Sequence, residues 1–276
     1  MPARHVNLFL PEWQGYSVDN SPQKGAEALR ETLFAGVDFH EFEIDSEEDL
    51  VRDRGIVGYS SVCKTMQQIS QFVQQSKPTS LFTLGGTCGV EVVPVTWLNQ
   101  HYQNDLAVVW LDAHGDLNTP ESSPSGHFHG MPVRTILGEG DADLRELAFS
   151  VLDPAQIFQV GVRDLDEPEA EFIKSSGIRV YDVNVDPAEL LKDISERFKN
   201  VYIHFDLDVM DPGEFEEMIF HVPEGMTQSK ALAVVEELTN GLTMVGSSLL
   251  EFVPRGGLTE PQSNFLSKLI EHLSPG

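Results

Sequence analysis

Short apolar runs alternate with amphipathic stretches along the whole chain. Val6–Leu10, Phe39–Ile44, Ser80–Leu84, Leu106–Leu111, Ile157–Val162, Arg179–Val183, Val201–Phe205 and Thr243–Leu250 read as strands, with helices between them. Runs such as Leu106–Leu111 and Val201–Phe205 lack the polar alternation of a half-exposed strand, so they are expected to be buried on both faces. The pattern predicts an α/β fold, a three-layer arrangement with a central parallel sheet of about eight strands flanked by helices. One helix can be argued in detail: Asp186 caps it, Pro187 takes its first turn, and Leu190, Leu191, Ile194 and Phe198 form its apolar stripe. Leu232, Val235 and Leu238 form another stripe ahead of Asn240-Gly241, and Ser60–Gln75 is a helix on which Cys63 is expected to serve packing.

The 276 residues contain no Pro/Ser/Gly-rich linker and no repeat, so one domain over residues 1–276 is expected. A formal charge of -26 argues against nucleic acid and against an anionic membrane surface, and it favours a small cationic partner; solubility or a saline interior would explain the same charge. Two cysteines, Cys63 and Cys88, are not the usage of a secreted disulfide scaffold. The apolar stretch of Met1–Leu10 is shorter than a signal sequence and is interrupted by Asn7, and no run is long enough to span a bilayer, so a cytoplasmic protein is expected.

The chemistry gathers where strands end. Leu106–Leu111 runs into Asp112-Ala113-His114-Gly115-Asp116, and Val201–Phe205 runs into Asp206-Leu207-Asp208. Alternate positions of an extended chain project to one side, so each segment offers metal-ligand types on one face. Buried and unpaired, such groups would each cost several kcal/mol, and divalent cations would remove that cost. In an open parallel sheet, ligands collect at the carboxyl ends of the strands, where Gly85-Gly86-Thr87-Cys88, Arg163-Asp164-Leu165-Asp166 and Glu251 also fall.

Taken together, GGTCG (85–89), DAHGDLNTP (112–120), SGHFHGMP (125–132), RDLDEPE (163–169), HFDLDVMDP (204–212) and Glu251 in LLEFVP resemble the arginase (ureohydrolase) family in order and spacing. The resemblance covers most of the chain from Gly85 to Pro254. It implies an arginase-like α/β domain with two Mn2+ bridged by hydroxide, hydrolysing the guanidino group of L-arginine or a close analogue such as Nω-hydroxy-L-arginine. Carried over by position, Cys88, Asp112, Asp116 and Asp206 would hold one metal, and His114, Asp112, Asp206 and Asp208 the other. Two such metals, roughly 3.5–4 Å apart, can share and acidify one water. Glu251 would pair with the guanidinium and His129 would shuttle protons, while His127 is expected to be structural. Asn118 and Ser125 would hold the α-carboxylate and Asp166 would face the α-amino group, so the implied partner is a small cationic guanidino amino acid. Relatives in the family are often trimers or hexamers, which leaves a homo-oligomer open.

The departure is Cys88, where the family usually has histidine in Gly-Gly-Asp-His. Cys88 is either a thiolate ligand or a small buried hydrophobe that leaves one metal with fewer donors. A thiolate would weaken Lewis acidity, raise the pKa of the shared water and bring Fe2+, Zn2+ or Co2+ into competition with Mn2+. Some arginase-like enzymes acting on hydroxylated arginine also carry cysteine here. Agmatinase, formiminoglutamase, an amide deacetylase and a silent metal-binding protein are the alternatives. An agmatine-like substrate would leave Asn118 and Ser125 unpaired at about 1–3 kcal/mol if buried, and the aspartate count exceeds what a one-metal deacetylase needs.

Overall fold

A computed structural model describes residues 4–44 and 50–274. Its strands are β1 (His5–Leu10), β2 (His40–Glu41), β3 (Arg52–Asp53), β4 (Ile56–Val57), β5 (Ser80–Gly85), β6 (Leu106–Leu111), β7 (Ile157–Val160), β8 (Arg179–Tyr181), β9 (Asn200–Asp206) and β10 (Thr243–Leu250). The helices are α1 (Ser21–Thr32), α2 (Tyr59–Ser76), α3 (Val92–His101), α4 (Pro132–Ile136), α5 (Ala142–Glu146), α6 (Glu167–Ser176), α7 (Pro187–Ser195), α8 (Gln228–Gly241) and α9 (Glu260–Leu273). Eight strands form one parallel sheet in the order β2-β1-β5-β10-β9-β6-β7-β8.

The unbroken apolar runs follow from burial on both faces. Leu106, Val108 and Trp110 of β6 pack with Met66, Ile69 and Leu98 on one side, whereas Ala107, Val109 and Leu111 pack with Val234, Leu238 and Leu266 on the other. Each face of the sheet therefore has its own apolar core beneath its own helices. At the edge the expected Phe39–Ile44 strand shortens to β2, because it pairs only with β1, while Phe39 still buries its ring. The segments expected at Ile157–Val162 and Arg179–Val183 likewise stop at Val160 and Tyr181.

The small β3–β4 hairpin was not expected. Arg54 and Gly55 both take positive φ in its turn, the geometry that two-residue hairpins favour, but arginine is not a residue that announces such a turn. Asp186 does cap α7, accepting from the amide of Ala188 at 2.9 Å, whereas Gly241 lies inside the last turn of α8 rather than beyond it. Cys63 is half-buried on α2, packs against the core and shares a hydrogen bond with Tyr59; neither cysteine is in a disulfide. Among the described residues no helix is long and apolar enough to cross a membrane.

Register is what positions the site. Leu111 of β6 pairs with Phe205 of β9 and Val160 of β7, Asp206 of β9 pairs with Leu250 of β10, and Leu249 pairs with Leu84 of β5. Asp112, Asp206 and Glu251 therefore leave the sheet at one level, at the carboxyl ends of three adjacent strands. Gly86 permits the fourth approach: a Cβ there would lie 2.0 Å from the carbonyl oxygen of Glu12, so only glycine lets the β5 end pass the β1 end on the way to Cys88.

Candidate metal centre

The expected ligands converge. Nδ1 of His114 lies 2.9 Å from Oδ2 of Asp208 and 3.4 Å from Oδ1 of Asp112, and the thiol of Cys88 donates to Oδ2 of Asp206 at 3.0 Å. Backbone amides hold the carboxylates in place: Ala113 donates to Asp208 at 3.0 Å, and Asp208 donates to Asp206 at 2.7 Å. The indole of Trp110 donates to Oδ2 of Asp112 at 3.1 Å. Three groups have ligand atoms all within 4.8 Å of one another: Cys88, Asp112, Asp116 and His204; Cys88, Asp206 and Glu251; and Asp112, His114 and Asp208. Asp112 is common to the first and third, while Asp206 groups with Cys88 and Glu251.

Two buried oxygens in this crowd, Oδ2 of Asp116 and Oε2 of Glu251, have no hydrogen-bond partner. Both residues hold positive φ, +53° and +63°, a conformation that costs a non-glycine residue about 1–3 kcal/mol and that collects at functional sites. Carboxylate oxygens, an imidazole and a thiol with unsatisfied buried acceptors are the donor set of divalent first-row metals. The residues present fit two such cations.

Electrostatics agree. Burial pushes Asp116 and Asp206 well above the usual carboxylate range, with the charge of Asp112 adding to the first and that of Asp208 to the second. Burial also lifts Asp208 and, together with Asp206, the Cys88 thiol. At Asp112 burial pushes the same way, but hydrogen bonds from His114 and His204 outweigh it and hold this carboxyl below its ordinary value. His114 is raised despite its burial, chiefly by the Asp208 carboxylate. Divalent cations reverse this pattern, since they stabilise the ionised carboxylates and deprotonate a coordinated thiol outright.

Over this floor lies a cavity of about 130 Å³ whose lining includes Cys88, His114, Asp116, Asn118, Ser125, His127, His129, Asp166 and Phe220. Oε1 of Glu251 accepts from the amide of Cys88 at 3.1 Å and sits 3.3 Å from Nδ1 of His129. Asn118 donates to Oδ2 of Asp166 at 2.9 Å and accepts from the hydroxyl of Ser122 at 2.8 Å. Ser125 meets Ser123 at 3.3 Å and accepts from the amide of His127 at 3.2 Å. All eleven residues singled out from the sequence thus line this cavity or lie in the groups beneath it. His127, expected to be structural, lines the mouth and meets the ring of Tyr16 edge-on.

Four contributors were given no role of their own from the sequence: His204, Glu12, Glu169 and Arg163, the last noted only for its place at a strand end. His204 could have been found, because it stands two residues before Asp206 on the same strand and so shares its face. Glu169 accepts from the amides of Leu117 and Asp166 at 2.9 Å each, tying the start of α6 to the loop after β6. The guanidinium of Arg163 donates to the carbonyls of Asp208 and Val222 at 2.8 Å and Pro223 at 3.0 Å, pinning the segment that carries Asp208. Arg163 acts through folded loops and leaves no local signal, whereas Glu169 closes the capping box Asp166-Glu167-Pro168-Glu169 that begins α6.

The Arginase family model matches residues 14–273. The chain belongs to the arginase family. Arginase of Staphylococcus aureus strain MRSA252 is 33% identical over 222 residues, spanning 76% of this chain and 73% of that protein. The crystal structure of arginase from Bacillus caldovelox superposes with a TM-score of 0.85 at 25% identity, covering 99% of both chains. Formimidoylglutamase from Bacillus subtilis superposes with a TM-score of 0.72 at 15% identity over 98% of this chain and 85% of its own, which shows a shared fold. As an arginase-family ureohydrolase the chain is a hydrolase by homology, from a family that normally binds two Mn2+ and takes guanidino substrates.

Proposed function

We propose that this chain hydrolyses the guanidino group of L-arginine or a close analogue such as Nω-hydroxy-L-arginine, giving ornithine and urea or hydroxyurea, with residues 1–276 acting as one domain. The observation that carries this reading is Glu251: a buried carboxylate with one oxygen unpartnered, beneath a cavity ringed by Asn118, Ser125 and Asp166. Two divalent cations, Mn2+ or a softer metal favoured by Cys88, would be held by Cys88, Asp112, His114, Asp116, Asp206 and Asp208. When bound, they lower the pKa of water and provide a nucleophile near neutral pH.

The remaining work falls to side chains. Glu251 pairs with the planar guanidinium through charge-assisted hydrogen bonds and turns its central carbon toward the floor. His129, in contact with Glu251, would carry a proton to the departing amine. Asn118 keeps a second amide hydrogen beyond the one given to Asp166, and with the hydroxyl of Ser125 it can bind an α-carboxylate, while Asp166 accepts from the adjacent ammonium. A zwitterionic head and a cationic tail are both matched.

The test is release of ornithine together with urea or hydroxyurea from metal-loaded protein offered L-arginine, Nω-hydroxy-L-arginine, agmatine and other guanidino compounds. Inertness across the panel defeats the proposal, and turnover of agmatine alone defeats the amino-acid specificity. Cys88→His sharpens the choice of substrate: imidazole in place of thiolate restores Lewis acidity, and kcat/KM for L-arginine is expected to rise about tenfold, or roughly 1.4 kcal/mol of barrier. An unchanged value would refute the role given to the thiolate.

A further inference from the structure

His204 is the least explained group of the floor. It is fully buried, its ring stacks on Trp110 with centroids 3.5 Å apart and planes 8° from parallel, and Trp110 in turn braces Asp112. Nδ1 of His204 faces Oε2 of Glu91 at 3.4 Å, and the hydroxyl of Ser248 also donates to that oxygen. A carboxylate only accepts, so a metal-bound ring would keep its proton on Nδ1, toward Glu91, and present the Nε2 lone pair to the cation. Nε2 points into the site, 3.6 Å from the sulfur of Cys88 and 3.8 Å from Oδ2 of Asp112.

We propose that His204 is itself a metal ligand, completing with Cys88, Asp112 and Asp116 a sulfur, nitrogen and two-oxygen set around one of the two cations. The inference rests on the two-metal reading above and adds a ligand to it. Nitrogen and sulfur bound at about 2.0 and 2.3 Å in tetrahedral geometry would lie about 3.5 Å apart, close to the 3.6 Å between His204 and Cys88. Glu91, His204 and the metal would form the carboxylate–histidine–metal arrangement that fixes ring orientation in metalloproteins. The unpartnered Oδ2 of Asp116 gives an independent sign that a cation belongs here, since that buried oxygen otherwise accepts nothing. The two positions then differ in character: one has a thiolate and an imidazole, and the other, at Asp112, His114 and Asp208, has a single imidazole among carboxylates.

The test uses the whole chain loaded with Co2+. In a crystal of the wild type, the anomalous peak nearest Cys88 is expected within about 2.2 Å of Nε2 of His204. In solution, His204→Asn is expected to weaken Co2+ binding at one position by more than 100-fold, beyond the roughly 10–100-fold typical of outer-sphere changes, while the other position keeps its affinity. A cation more than about 3 Å from Nε2, or two tight positions indifferent to His204→Asn, overturns this inference and leaves the two-metal reading standing. Wild-type protein that binds no metal overturns both. Should His204→Asn fail to fold, the wild-type crystal decides alone.

Discussion

Asp112, Asp206 and Glu251 leave three neighbouring parallel strands at one level, whereas Asn118, Ser125 and His129 stand on the long loop between β6 and α4. The first set forms a floor whose side chains are fixed by the sheet and whose charges oppose one another; the second forms a rim whose polar groups are satisfied by neighbours such as Asp166, Ser122 and Ser123. A floor of that kind is stable only if something outside the chain neutralises it, while the rim can exchange its present partners for a ligand. Damage to the floor should therefore remove metal and turnover together, and damage to the rim should change which substrate binds and how tightly.

The largest effect is expected at Asp112, the carboxylate common to two of the ligand groups. Asp112→Ala should bring metal content, measured by elemental analysis, well below two per chain and lower kcat on the order of 10³-fold, more than the roughly 10–100-fold of outer-sphere changes. Full metal content with ordinary turnover would mean that the floor is not the reacting centre. Glu251→Gln follows. The amide keeps the shape but cannot match a guanidinium as a carboxylate does, so metal content should hold while kcat falls about 10²-fold. If KM alone changed, Glu251 would be a binding group with no share in the transition state.

Asn118→Ala probes the rim. Removing the amide proposed to bind the α-carboxylate, a hydrogen bond worth about 1–3 kcal/mol, should raise KM for L-arginine about tenfold with kcat nearly constant. Agmatine, which has no carboxylate, serves as the internal control, because its turnover should not change. Equal loss for both compounds would place the amino-acid head somewhere other than Asn118.

The same contrast explains what could be read from the sequence. The floor was legible because ligand types gather where two apolar strands end, although the strand period itself stops there: Asp116 takes positive φ and Asp208 lies in a 3-10 turn. The roles of Asn118, Ser125 and Asp166 came only from resemblance to a family, since no periodicity links a loop asparagine to the start of α6 some 48 positions later. His204 was hidden in plain view inside an apolar strand, where a buried histidine has an ordinary structural reading until Glu91 and Trp110 are seen around it. Position 88 gives a thiol where the family pattern has histidine, and His204 brings an imidazole to that same side from a different strand. The compensation proposed for His204 is visible only in three dimensions.

Glu12 joins floor to rim and gives the smallest expected change in turnover. It is buried at the end of β1, accepts from the amide of Gly15 at 2.7 Å and from the hydroxyl of Thr87, and lies close enough to Glu251 to feel its charge. Burial pushes its carboxyl up to about 7, against the hydrogen bonds from Thr87 and Gly15. The folded chain thus favours the neutral acid more than the unfolded chain does, whose glutamate titrates near its ordinary value of 4.5. The resulting stabilisation is complete below pH 4.5, declines as pH rises and is lost above about 7, a change of about 3 kcal/mol. Glu12→Gln keeps the acceptor for Gly15 and removes the titration. Urea denaturation of metal-free wild type and variant, compared at pH 4 and pH 8, should show the wild type losing about 3 kcal/mol relative to the variant over that interval. Parallel pH profiles would mean that Glu12 titrates in the folded chain as it does in the unfolded one, and that the hydrogen bonds from Gly15 and Thr87 stabilise its charge as well as water does.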